Sequence, residues 1–308
     1  MTAPAPGIGA TFYGNLSRDL DTPTGREVIA ACDLVCLHTS ADSTDVTSAA
    51  LVRSIGCARV WLAIPANYLS RLDLDRGRVA AIAEVTRVAK VARDANAELL
   101  ELNGEGASDG AKVGDWTSAP RDATEAARLE SLARELIGAI RAVYPGAVGW
   151  TSHDGTRSFK IPRSHLALVD LHSPQHYPAQ PGVVVDQRAL EHRVAWSEGQ
   201  WDALAASGGC PADVAPYGGA WAAYGQAHGH SVAALVWGLV QAPTARLWAC
   251  PSSWSPEAVT ALTYARRMRA AVGTGHDAVA RWQSARGITA DGVIGPRTLA
   301  SLASVPDP

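Results

Sequence analysis

The chain has 308 residues, of which 47% are hydrophobic and 19% charged, a balance that excludes a disordered chain and a coiled-coil rod. Its formal net charge of −3 supplies no basic surface, so we expect no nucleic-acid partner. No apolar run approaches the roughly 20 residues that cross a bilayer, so we expect no membrane insertion.

Short apolar runs that resemble strands alternate with helical patterns up to residue 272. The predicted strands are residues 9–14, 34–38, 60–64, 98–103, 148–151, 166–171, 214–217 and 234–240. The predicted helices are residues 24–31, 44–55, 76–96, 122–143, 187–206, 220–228 and 256–272.

Eight strands, seven of them followed by helices, in about 265 residues predict a (β/α)8 TIM barrel over residues 1–272. Near-continuously apolar strands indicate a parallel sheet that is covered on both faces. A doubly wound open sheet is the alternative, but no G-x-G-x-x-G follows the first strand. Residues 273–275 are predicted to be a linker, and residues 276–308 a short helical segment.

Polar and aromatic side chains gather where the predicted strands end. In a barrel those carboxyl ends form the active-site face, so we expect these residues to bind substrate. With one loop tryptophan, the set is Tyr13, Asn15, His38, Asn103, Trp116, His153, Asp154, His172, Gln175, Tyr177 and Trp237.

The fourth predicted strand carries a carboxylate inside an apolar run. In ELLELNGEG, Glu101, Asn103 and Glu105 share one face, whereas Leu100 and Leu102 share the other. A buried carboxyl suits a general acid, because desolvation raises the pKa of a carboxyl. We expect Glu101 or Glu105 to be the acid and Asp170, on strand six, to be its partner; the alternative for Glu101 is a structural ion pair.

The string E-L-N-G-E-G resembles the end of strand four in barrel glycoside hydrolases of the large retaining clan, and this resemblance implies that Glu105 is the acid/base. The sequence departs from that pattern at Gly104 and in V-A-P-Y-G-G, which lacks the nucleophile glutamate. Barrel lysozymes and chitinase-like hydrolases pair strand-four carboxylates with strand-six residues, and Asp170, Gln175 and Tyr177 are compatible with that arrangement.

The C-terminal segment resembles the type-1 peptidoglycan-binding domain over about 30 residues. Val279, Gly287 and Ile288 match its pattern, and the residues expected to bind the wall are Trp282, Gln283, Asp291, Gly292, Gly295, Pro296 and Thr298. The resemblance implies peptidoglycan as the ligand. Since so short a segment cannot bury its own core, we expect it to pack on the barrel, and a degenerate cap of the barrel is the alternative.

Histidines near the predicted strand ends leave metal-dependent hydrolysis open as a further alternative. His38, His153, His172 and His176 are the candidates, but the H-x-H that amidohydrolase barrels carry on strand one is missing. We therefore expect neither a metal nor a cofactor.

These features together predict a peptidoglycan hydrolase, a lysozyme- or glucosaminidase-like glycosidase. Ten tryptophans against two phenylalanines fit a sugar groove, for which Trp116, Trp150, Trp237 and Trp254 are placed. The alternatives are a non-catalytic wall-binding protein and a hydrolase of another polysaccharide. No classical signal peptide is predicted, and the endolysin resemblance implies a protein made in the cytoplasm and released by a holin, a phage or an injection particle.

Overall fold

The computed structural model describes residues 4–13, 20–38, 43–104, 122–153, 164–175, 186–192, 194–195, 222–224, 231–249, 254 and 256–306. The strands are β1 Gly7–Tyr13, β2 Leu34–His38, β3 Arg59–Pro65, β4 Leu99–Gly104, β5 Ala147–His153, β6 Leu171–Gln175, β7 Ala222–Tyr224 and β8 Thr244–Ala249. The α-helices are α1 Pro23–Ala30, α2 Ser43–Ile55, α3 Ala66–Arg76, α4 Arg78–Asp94, α5 Ala123–Val143, α6 Val232–Gln241, α7 Pro256–Val272, α8 Ala278–Ala285 and α9 Pro296–Ala303. A 3-10 helix spans Ser164–Leu168, and residues 187–192 are also helical.

All neighbouring strands are parallel, and their order is β6-β5-β4-β3-β2-β1-β8-β7. The first strand therefore lies between the second and the last, which is the cyclic order of a TIM barrel. The pairings within the described ranges do not include one between β6 and β7. The fold is a curled parallel sheet with helices, a TIM-barrel-like α/β fold.

The two faces of the sheet carry different side chains, as the alternation along β4 illustrates. Leu100 and Leu102 belong to the large hydrophobic core beneath the helices, and we call this side the outer face. Leu99 belongs to a smaller cluster on the opposite side, the inner face. The inner cluster contains Leu34, Cys36, Trp61, Ala63, Leu99, Ala147 and Leu171. Glu101 and Asn103 follow Leu99 at intervals of two residues and share its face.

Several elements agree with the sequence predictions. Strand β2 has the predicted bounds, and helices α2, α5 and α7 lie within one residue of theirs. Asp122 caps α5, since its side chain accepts a hydrogen bond from the Glu125 N–H at 2.9 Å. The long pattern at residues 76–96 corresponds to α4, which directly follows α3.

The prediction of a strand at residues 234–240 was wrong, because this run lies within helix α6. The residues from Ala234 to Gln241 are all buried, since α6 packs against β8, the long helix α7 and the C-terminal helix α8. A helix covered on several sides has no polar face, so its sequence resembles a buried strand. The eighth strand is β8, which follows α6.

Three other predicted elements, between residues 166 and 228, are compared with the structure next. Residues 166–171 were predicted to form strand six, but a 3-10 helix ends at Leu168 and β6 begins at Leu171. Residues 220–228 were predicted to be helical, whereas residues 222–224 form β7. The predicted strand 214–217 lies outside the described residues.

The C-terminal segment packs on the barrel-like unit. Val279, Trp282 and Leu302 belong to the same hydrophobic core as the helices of the sheet. Residues 273–275 are tied down as well, because the Gly275 N–H donates to the Val240 carbonyl at 2.9 Å and Arg281 donates to the Val272 and Thr274 carbonyls. Within the described residues, none of the helices is long and apolar enough to cross a membrane.

Candidate functional site

Glu101, on β4, forms a buried ion pair with Arg246, on β8. The Arg246 Nη2 donates to both carboxylate oxygens of Glu101 at 2.8 Å, and both side chains are fully buried. In the sheet order β4 and β8 are four strands apart, which is about 19 Å in a flat sheet. The two side chains meet because the sheet curls around its inner face. Glu101 thus forms a structural ion pair, which is the alternative role that the sequence analysis gave it.

The Arg246 guanidinium has further neighbours on the inner face. It lies over the Trp61 ring, 5.0 Å from the centroid, and the Cys36 thiol is beside it. Burial raises the pKa of the Cys36 thiol to about 12, so this thiol is protonated at neutral pH. Glu101, Arg246, Trp61 and Cys36 therefore form a structural layer of the inner face, which we call the floor, and not a reactive centre.

Above this floor, towards the carboxyl ends of the strands, His38 and Asn103 form a second polar pair. The Asn103 Nδ2 lies 3.2 Å from the His38 Nε2, and both side chains are buried. Ala63 lies on β3, between their two strands, and its small side chain leaves room for the contact. Burial, and then the Arg246 charge, lower the pKa of His38 from 6.5 to about 4. His38 is therefore neutral at pH 7 and accepts the hydrogen bond from the Asn103 amide.

Two hydroxyls continue this polar layer across β5 and β6. Thr151 pairs in register with Asn103, and Ser173 pairs with Thr151. Thr151 is 1% exposed and Ser173 is 0% exposed. Neither hydroxyl has a hydrogen-bond partner in the part of the chain that the structure describes. His38, Asn103, Thr151 and Ser173 are called the polar row below.

Asp170 does not lie at the carboxyl edge where strand six was predicted to end. It directly precedes β6 and lies at the opposite, amino edge. Its Oδ2 accepts hydrogen bonds from the Val148 N–H at 2.9 Å and from Arg141 at 3.1 Å, while its own N–H donates to the Val148 carbonyl at 2.8 Å. Asp33 forms the same two backbone bonds with Ile8 between β1 and β2. Asp170 thus anchors a strand start, and the prediction that it faces Glu101 as a catalytic partner was wrong.

Two predicted substrate-binding residues also lie away from the inner face. His172 alternates with Leu171 and Ser173, pairs in register with Trp150 and so belongs to the outer face. Trp237 lies on α6 in the outer core, 6% exposed. Two tryptophans predicted for the sugar groove contact the outer core: Trp150 packs against His165 at 4.3 Å and Trp254 against Phe12 at 5.0 Å between ring centroids.

The structure describes only some of the other site residues predicted at the carboxyl edge. Tyr13, His153 and Gln175 end β1, β5 and β6 as strand-end residues, but their side chains lie outside what the structure describes. The other predicted residues lie wholly outside the described ranges: Asn15, Glu105, Trp116, Asp154, His176 and Tyr177.

The side chains of the C-terminal motif are engaged with one another. Gln283 is 1% exposed; its Nε2 donates to Asp291 Oδ1, the Val293 carbonyl and Thr298 Oγ1, and its Oε1 accepts from the Gly292 N–H. Trp282 is fully buried, and its Nε1 donates to Ser301. Gly292 adopts φ +73, Gly295 caps α9 and Pro296 begins it. These residues hold the turn between α8 and α9.

No group of three or more histidine, cysteine, aspartate or glutamate side chains is placed to hold a metal ion among the residues described. His38 and His172, two of the candidate ligands, lie on opposite faces of the sheet. Sequence reasoning missed Arg246, Thr151 and Ser173. A signal for Arg246 existed, because TARLWA places one arginine within an otherwise apolar run.

Comparisons with known proteins identify the fold alone. No family model and no curated protein matches the chain. A GH18 chitinase from Pseudoalteromonas aurantia is 10% identical with a TM-score of 0.51 and covers 84% of this chain and 99% of its own. The GH18 chitinase ChiB of Flavobacterium johnsoniae is also 10% identical, with a TM-score of 0.51. The alignment covers 86% of this chain and 96% of the chitinase. Identities this low show a shared TIM-barrel-like architecture, and function has to be argued from the site.

Proposed function

We propose that the protein is a glycoside hydrolase, with Glu105 as the acid/base and the carboxyl edge of the sheet as the substrate site. The observation that carries this proposal is the arrangement along β4: Glu101 is paired with Arg246, while Asn103 joins the polar row two residues before Glu105. Of the two carboxylates of ELNGEG, only Glu105 remains for chemistry. The chitinases with a similar fold support the proposal by analogy.

The chemistry requires a proton donor and a second carboxylate. Glu105 protonates the glycosidic oxygen as the bond from the anomeric carbon to that oxygen breaks, and water supplies the hydroxyl that the anomeric carbon gains. Asp170, bound at the amino edge, is not that partner. Asp154 directly follows β5 and is the candidate we propose in its place.

Peptidoglycan is the substrate we propose first, because the C-terminal segment resembles a peptidoglycan-binding domain. One observation favours a second candidate, a hydrolase of another polysaccharide. Gln283 and Thr298, two side chains of the wall-binding signature, are buried and bonded to each other, so the segment also has a purely structural explanation.

The test is the release of reducing ends by the wild-type chain from purified peptidoglycan, chitin oligomers and mannan, with the Glu105→Gln variant as the control. Release from peptidoglycan supports the first candidate, and release only from chitin or mannan supports the second. Retention on insoluble peptidoglycan without reducing ends from any substrate would instead indicate a non-catalytic wall-binding protein.

A further inference from the structure

The polar row contains two buried hydroxyls that have no hydrogen-bond partner among the residues that the structure describes. A buried polar group that makes no hydrogen bond costs about 1–3 kcal/mol, and such groups in native proteins usually have a reason. Thr151 Oγ1 and Ser173 Oγ share one register level on adjacent strands, beside the Asn103 amide. Two neighbouring hydroxyls that lack hydrogen bonds within the described residues, at the carboxyl edge of the sheet, indicate a ligand that forms these hydrogen bonds when it binds.

We propose that the polar row lines a substrate subsite and that it selects an uncharged pyranose ring. The inference rests on the proposed function, because it names the kind of sugar that the same site takes. Thr151 and Ser173 are its specificity-determining residues, and the His38–Asn103 pair completes the row.

The hydrogen-bonding chemistry of the row matches a sugar. A hydroxyl both donates and accepts, so Thr151 and Ser173 can pair with ring hydroxyls or with an acetamido carbonyl. Asn103, at the same register level as Thr151, adds an uncharged amide that contacts His38. A row made only of such groups recognises a polyhydroxylated ring without requiring charge.

The electrostatics of the row favour a neutral ligand. Asn103, Thr151 and Ser173 carry no charge, and His38 is neutral at pH 7 because its pKa is lowered to about 4. Among the described residues, Glu101 and Arg246 on the same face carry opposite charges that are paired with each other. A sugar carboxylate placed here would lose its hydration without gaining a counter-charge from these residues, and such a transfer is strongly unfavourable.

The experiment is isothermal titration calorimetry on the Glu105→Gln chain, which we expect to bind sugar without hydrolysing it. Its probes are the N-acetylglucosamine tetramer and the negatively charged galacturonic acid tetramer. Adding Thr151→Val is expected to raise the Kd of the neutral tetramer about 3- to 10-fold, as for one lost neutral hydrogen bond. Thr151→Ser, which keeps the hydroxyl, is expected to stay within about 2-fold of the parent.

Thermal melting without sugar separates recognition from structure. Because the Thr151 hydroxyl has no hydrogen-bond partner within the described part of the chain, Thr151→Val is expected to keep or raise the melting temperature while it weakens binding. The matched control is Thr86→Val on α4, whose hydroxyl donates to the Ile82 carbonyl; it should lower the melting temperature and leave the Kd unchanged.

The outcomes distinguish this inference from the proposed function. An unchanged Kd in Thr151→Val and Ser173→Ala, or equal affinity for the charged and neutral tetramers, overturns the inference even if the wild-type chain hydrolyses polysaccharide. Absence of both hydrolysis by the wild type and binding by Glu105→Gln overturns the proposed function as well.

Discussion

Glu101 and Arg246 lie 145 residues apart in the chain and bond to each other at 2.8 Å on the inner face of the curled sheet. Both are fully buried, so each charge depends on the other for compensation. This pair gives Glu101 a structural role and leaves Glu105, the residue that follows β4 in the sequence, as the proposed acid/base.

Breaking the Glu101–Arg246 pair should destabilise the fold. Glu101→Gln or Arg246→Met is expected to lower the free energy of unfolding by about 3–5 kcal/mol, because the remaining charge stays buried without compensation. The double variant Glu101→Met/Arg246→Met should recover most of this loss, as measured by urea unfolding. Glu84→Gln, which removes the more exposed pair with Arg87, serves as control and should cost less than about 1 kcal/mol. Full stability in either single variant would contradict the structural role.

His38 should make stability depend on pH. Its pKa is about 4 in the folded protein and near 6.5 when unfolded, so between these values the unfolded chain binds more protons. Stability should be at its full value above pH 6.5 and should fall by about 3 kcal/mol as the pH drops to 4. Urea unfolding of wild type and His38→Asn at pH 7, 5.5 and 4.5 isolates this contribution as a difference. Parallel pH profiles for the two proteins would show that His38 is not held neutral.

Asp170→Asn should affect stability and not catalysis. The substitution weakens the bonds to Arg141 and the Val148 N–H at the amino edge, and we expect a loss of about 1–2 kcal/mol with kcat within about 2-fold of wild type. Asp33→Asn, the matching change between β1 and β2, should give a similar loss. A collapse of kcat in Asp170→Asn with stability retained would restore its catalytic role.

The C-terminal segment should contribute to the stability of the sheet. Gln187 Nε2 donates to the Gly292 carbonyl and its Oε1 accepts from the Ile294 N–H, both at 2.8 Å. Gln187→Ala removes the partners of the Gly292 carbonyl and the Ile294 N–H. We therefore expect the free energy of unfolding, measured with urea, to fall by about 1–3 kcal/mol. Arg188→Ala, an exposed neighbour, should change stability by less than about 0.5 kcal/mol. An unchanged value in Gln187→Ala would indicate a segment that is only loosely attached.

The sequence predicted local features of the fold well. Alternation along β4 correctly separated Glu101 and Asn103 from Leu100 and Leu102, because this pattern has a period of two within one strand. Helix α5 was predicted almost to the residue, since a cap at Asp122 and a stop at Pro145 are local signals.

Contacts between distant strands were not predicted. The partner of Glu101 comes from β8, and α6, with no polar face, was mistaken for that strand. Asp170 was misplaced because the start of β6 was set too early, which moved this carboxylate from the amino edge to the carboxyl edge. The polar row depends on the register of five neighbouring strands, β2 to β6, of which β3 contributes only the small Ala63. A single sequence does not reveal that register.

The most direct test of the account compares Glu105→Gln and Glu101→Gln on the same polysaccharide, with initial rates and thermal melting measured on the same samples. We expect Glu105→Gln to melt like the wild type and to lose at least about 100-fold in kcat, in line with the loss of a general acid. We expect Glu101→Gln to melt at a lower temperature. If Glu105→Gln keeps the wild-type rate, or if Glu101→Gln is inactive at wild-type stability, the assignment of Glu105 to chemistry and Glu101 to structure is contradicted.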